Sequence, residues 1–99
     1  MSDLSAEDAK LVTLAKSARA RVGAAEGAAV RDGDGRSYTG VTISRPSYTI
    51  TALQLAVANA VAAGASTLEA AVVITAAGDV DQAPVTDLTP AAPVLVVPV

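Results

Sequence analysis

Ninety-nine residues read as one domain, 1–99, at the small end of what a single core stabilises. The chain contains neither cysteine nor histidine, which excludes disulfides and any metal site built from thiolate or imidazole. Its net charge of −3 is unevenly spread, with all seven Lys and Arg at or before Arg45 and only acids beyond it.

The first residues include Asp3, Glu7 and Asp8 and lack the apolar run of a signal peptide. A cytoplasmic protein is therefore expected. Ser5, followed three residues later by Asp8, resembles a capping box at a helix start. Behind it Leu11, Leu14, Ala15, Ala18 and Val22 recur at helical spacing, while Lys10, Lys16, Arg19 and Arg21 can stay in water. The pattern predicts an amphipathic helix over Ala6–Val22, ended by Gly23. Those four cations are the one candidate for a basic stripe, and Glu7 and Asp8 sit beside them. No nucleic-acid partner is expected, because displacing counterions from phosphates needs clustered cations.

Residues 28–31 read as a short strand and 38–43 as a second. Between them Asp32-Gly33-Asp34-Gly35 signals a hairpin turn, since glycine takes positive φ without a Cβ clash. The same letters could open a calcium loop, but Arg36 stands where the next ligand belongs. A solvated turn is the expectation.

The stretch 46–68 carries no charge and is long enough to cross a bilayer. Thr49, Thr51, Gln54, Asn59, Gly64 and Ser66 interrupt it, and alanine dominates the rest, so no membrane span is expected. A second helix is expected instead, opened by Thr49 or Thr51 and running to Ala63, with Gly64 as its stop. Its interior is apolar on nearly every side, the mark of a helix buried all round. A sheet covers only one side, so a partner subunit is expected to cover the other. Composition points the same way. Twenty-three residues are alanine, and Tyr38 and Tyr48 are the only aromatics. Burying alanine removes little apolar area from water, and small domains with lean cores gain stability by association.

Residues 70–75 are a β-branched run and read as a third strand. Gly78, Pro84, Pro90 and three aspartates make 76–92 a loop. The tail, 94–99, reads as a fourth strand, placed at an edge by Pro93 and Pro98. The expected order is α-β-β-α-β-β.

Gly27-Ala28-Ala29-Val30, Asp34-Gly35-Arg36 and Tyr38-Thr39-Gly40 resemble the V-G-A-A, D-G-R and Y-T-G of one family's first hairpin. That family is the small, homotetrameric-type cytidine deaminases. Ser47-Tyr48 is similar to the S-Y before their zinc helix, and Thr51-Ala52-Leu53-Gln54 falls where they have C-A-E-R. The similarity runs over residues 10–75 in order and spacing. It implies an α/β fold with an αβα layered mixed sheet, a dimer or tetramer, and a domain truncated relative to the family.

The chemistry of that family needs zinc on Cys or His-plus-Cys ligands and a glutamate that moves protons. By position the first ligand is Thr51 and the glutamate is Leu53. The family's P-C-x-x-C falls on Pro84-Val85-Thr86-Asp87-Leu88, so Val85 and Leu88 take the thiolate places. Its ribose-holding N-V-E-N corresponds to Thr42-Ile43-Ser44-Arg45, and its P-Y-S-x-F-x-V stretch is missing. Thr42, Ser44, Arg45, Ser47 and Tyr48 are the candidate ligand contacts, with Thr51 beside them. A serine nucleophile would need a general base there, and no spacing singles one out. Turn and helix-cap roles account for these hydroxyls.

The expectation is therefore a pseudoenzyme without zinc or other cofactor, acting as an oligomeric interaction or scaffold protein. The alternative is a module that binds a nucleoside or small metabolite in the vestigial pocket. An enzyme using unfamiliar residues is a third reading.

Overall fold

The computed structural model describes residues 4–99. Helix α1 (Ala6–Val22) opens at Ser5, whose hydroxyl accepts from the Asp8 N–H at 3.1 Å, and closes at Gly23 with φ of 63°. Leu11, Ala15 and Ala18 form its buried row. Leu14 and Val22, expected on that face, are exposed, and Val12 packs toward the core instead. Leu14 lies off the row, and Val22, in the last turn, lines an open groove.

Strands β1 (Gly27–Asp32) and β2 (Ser37–Val41) form the predicted hairpin. Its turn is more than a solvated loop. Asp32 is 3% exposed, and its carboxylate accepts from the N–H groups of Asp34 and Arg36 and from the Tyr38 hydroxyl. Burial works against ionisation of Asp32, but these three donors outweigh it and hold its pKa below the usual carboxylate value. Gly35, at φ of 86°, supplies the left-handed residue that such a turn requires.

The strand expected over 38–43 is two strands. β2 stops at Val41, and the Thr42 N–H still donates to the Glu26 carbonyl. β3 (Ile43–Arg45) then leaves to pair with β4 (Tyr48–Ile50) in a separate ribbon. Helix α2 (Ala52–Ala62) and strand β5 (Leu68–Ile74) follow. The loop expected over 76–92 contains α3 (Ala83–Leu88), which has Pro84 in its first turn. Six residues are too few to show a helical period, so the sequence pattern misses it. β6 (Val94–Val97) ends the order.

The main sheet runs β2-β1-β5-β6, with β1 antiparallel to both neighbours and β6 parallel to β5. β6 lies at an edge, as its flanking prolines demand. Alternation along the strands sends Ala29, Ala70, Val72 and Ile74 toward α1, where Leu11 and Ala15 cover them. Ala28, Val30, Ala71 and Val73 face the other way, onto Leu53, Ala56, Val57 and Ala60 of α2 and Val85 of α3. The result is three layers, α/β/α. Small residues let the layers approach closely: a Cβ at Gly40 would run into the backbone of Ala52 and Ala56. Arg31, on β1, ties the layers at one end through Asp8 at 3.1 Å and Glu69 at 2.8 Å.

Among the described residues no helix is long and apolar enough to cross a membrane. The uncharged stretch 46–68 is divided among a hairpin, α2 and the start of β5. One face of α2 is buried in the chain, whereas Gln54, Ala58, Asn59, Val61 and Ala62 are exposed and Leu55 is half-buried.

Candidate functional site

Thr51 is the N-cap of α2. Its hydroxyl accepts from the Gln54 N–H at 3.0 Å, and Gln54 Oε1 accepts from the Thr51 N–H at 2.9 Å. This reciprocal capping box satisfies donors that the first helical turn leaves orphaned. The oxygen at the expected first-ligand position is thus committed to the helix start.

Two residues on, Leu53 is 2% exposed. With Thr51 it lines a small cavity of about 110 Å³, together with Glu26, Val73, Asp79, Val80 and Asp81. Val85, fully buried, lies in the same apolar cluster as Leu53, and Leu88 packs against that cluster from a half-buried position. The structure therefore brings Leu53, Val85 and Leu88 together as core. Leu88 also rims a mainly apolar groove between α2 and α3, shared with Val57, Ala58, Val61 and Pro84 and bordered by Gln54 and Asp87.

The candidate ligand contacts gather elsewhere. Thr42, Ser44, Arg45 and Tyr48 line an open groove of about 410 Å³, walled on the other side by Val22, Gly23 and Ala24. Ser47 is exposed on the β3–β4 turn and is not part of that wall. The split of the second strand accounts for this arrangement, because the ribbon swings residues 43–50 away from the sheet.

Glu26 connects the two regions and was invisible to sequence reasoning. It lines the small cavity. Its Oε2 accepts from the Thr75 hydroxyl at 2.7 Å, and its Oε1 from the Thr42 hydroxyl at 3.5 Å. Thr75, buried at the end of β5, accepts in turn from the Ala77 N–H at 3.0 Å. No local signal ties Glu26 to a residue 49 positions away.

These residues do not fit a zinc ion. The four family positions offer one hydroxyl already engaged as a cap and three aliphatic side chains, none of which is a zinc donor. Glu26, Asp79 and Asp81 share a cavity, yet among the described residues no group of three His, Cys, Asp or Glu is disposed to hold a metal. Nucleophilic chemistry fares no better, since the hydrogen bonds of Glu26 go to Thr75 and Thr42 and not to Ser44 or Ser47.

A family model described as cytidine deaminase-like matches residues 4–99. Among solved structures, the fold is similar to a cytidine deaminase from Burkholderia pseudomallei, with a TM-score of 0.63 and 25% sequence identity. The similarity covers 82% of this chain and 68% of that one. No curated protein matches the sequence.

Proposed function

The chain belongs to the cytidine deaminase-like family, and we propose that it is a member without deaminase activity that acts as a homo-oligomeric interaction protein. One observation carries the first half of this reading. The positions that hold zinc and the proton-moving glutamate in active relatives are Thr51, Leu53, Val85 and Leu88, a helix cap and three apolar core residues. Family chemistry needs a metal-activated water and a carboxylate to shuttle its protons, and neither can be assembled from these side chains.

The second half rests on α2. Its outer flank carries Leu55, Ala58 and Val61, the last 50% exposed, and continues into the groove that Pro84 and Leu88 border. An apolar flank of this kind on a domain with an alanine-rich core is favourably covered by a second copy.

Elemental analysis of purified protein should find no stoichiometric zinc, and cytidine and deoxycytidine should not be converted above a blank. One zinc per chain, or sustained turnover, would defeat the reading. The open groove at Thr42, Ser44, Arg45 and Tyr48 favours a second reading, a binding site for a nucleoside or small metabolite. A ligand-dependent rise in melting temperature, abolished by Arg45→Ala and Tyr48→Ala together, would support that one.

A further inference from the structure

The sheet has two edges, and the chain treats them differently. At the β2 edge, Asn59 Nδ2 reaches over from α2 and donates to the Thr39 carbonyl at 2.8 Å. A side chain thereby occupies a backbone acceptor that would otherwise invite another strand. Among the described residues β6 has no such cover. The carbonyls of Pro93 and Val97 accept from the N–H groups of Ala71 and Thr75, inside the sheet. Strand alternation then turns the N–H and C=O of Val94 and Val96 to the open side. The usual means of blunting an edge are missing: no charge follows Asp87, and the β5–β6 register runs without a bulge. Beside this edge lies a mainly apolar groove lined by Leu4, Ala70, Val72, Pro93, Val94 and Leu95, with Asp8 at its wall.

We infer that β6 pairs antiparallel with β6 of a second copy of this chain, about a two-fold axis through Leu95. In that register Val94 of each copy exchanges N–H···O=C bonds with Val96 of the other, so every outward group between the two prolines is satisfied. Pro98 stands at the next outward position and has no N–H to give. It stops the ladder after Val96 and disfavours slipped registers. Charge selects the occupant. Each copy carries a net side-chain charge of −3, but the segment from Leu88 to Val99 has no charged side chain, so two copies can meet here with little side-chain repulsion. Asp8, the charged group lining the groove, is already paired with Arg31 at 3.1 Å, so it gives no preference to a charged peptide. Leu95 and Val97 project to the α1 face, while Val94 projects to the α2 face. The two Leu95 side chains would therefore meet across the axis and cover the groove beside Val72. This contact is separate from the α2 flank, so the two together build an assembly larger than a dimer.

Because the chain has no cysteine, Leu95→Cys creates a thiol that can form a disulfide only with its own copy. Residues facing each other on the axis, as a pair without mutual hydrogen bonds, have Cα atoms about 4.5 Å apart, within disulfide reach. Val97→Cys would instead place its two thiols about 13 Å apart along the strands. Leu95→Cys should cross-link under mild oxidation at least about tenfold faster than Val97→Cys. Val96→Pro removes an outward donor and no bond to β5, so it should lower the mass seen by light scattering while circular dichroism stays unchanged. Val61→Asp, on the α2 flank, should leave the Leu95→Cys cross-link intact. Equal cross-linking at the two positions, or an undiminished mass for folded Val96→Pro, overturns the proposal. If Val96→Pro does not fold, the ratio of the two cross-linking rates decides.

Discussion

Asp32 illustrates how one side chain holds a turn. Removing its carboxylate leaves two backbone N–H groups and the Tyr38 hydroxyl without their acceptor in a buried place. Asp32→Ala should therefore lower the melting temperature by more than Tyr38→Phe, which breaks only one of these bonds. The pH dependence follows from the shift directions. Asp32 is held below the usual carboxylate value, so its stabilisation is present above about pH 4 and is lost as pH falls through the lowered pKa. Burial, followed by the bond to Asp32, raises the Tyr38 pKa, so its part is intact below about pH 10 and lost as pH rises through the raised value. Melting curves of the parent and of Asp32→Ala, taken down to pH 2, should converge. Thr51 gives a second test at this scale. Thr51→Ala should cost about 1 kcal/mol through the lost cap, read from a denaturant midpoint, with no other change in behaviour. The capping role of Thr51 was legible, because a cap and its partner lie three residues apart. That Asp32 is buried was not, because its cover comes from Tyr38 and from chain brought in from elsewhere.

The elements explain why the start of α2 is closely packed. α2 lies so close to β2 that Gly40 faces the backbone of Ala52 and Ala56. Gly40→Ala should therefore destabilise by about 1–3 kcal/mol, since overpacking here meets main chain and not a side chain that can swing away. A midpoint within error of the parent would show that α2 can lift. Leu53 from α2 and Val85 from α3 close the core at this end. If Val85 and Leu88 correspond to the family's thiolate positions, Thr51→Cys, Val85→Cys and Leu88→Cys together set three thiols near one point. Metal capture by such sites can be worth on the order of 10 kcal/mol. The triple variant should retain zinc weakly through dialysis, and adding Leu53→Glu should still leave it inactive on cytidine. A folded triple variant that holds no zinc would show that Val85 and Leu88 do not correspond to the thiolate positions. Both α2 and the edge placement of β6 were legible, since caps, helix-stopping glycine and prolines act over a few residues. α3 and the β2–β3 break were not. A six-residue helix shows no period, and no turn residue stands between Val41 and Ile43 to mark the break.

At the scale of the molecule, the α2 flank and the β6 edge are mainly apolar surfaces left uncovered by the described residues. Light scattering at micromolar concentration should give a mass well above the 9.7 kDa of one chain. Val61→Asp should reduce it, because a carboxylate pressed into an apolar contact costs several kcal/mol at order of magnitude. Val61 suits this test better than Val57, which is buried within the chain and whose substitution would unfold it. A monomer mass for the parent would remove the interaction reading altogether. The sequence by itself determined what chemistry is excluded, because the absence of cysteine and histidine holds in any conformation. It also determined the local punctuation of α1, the first hairpin and α2, whose signals act between near neighbours. Only the tertiary structure decided that Glu26 meets Thr75 and Thr42, that Leu53 and Val85 fill one core, and that the ligand candidates line a separate groove. Each of these depends on packing between elements that are separate in the sequence, which local patterns do not encode.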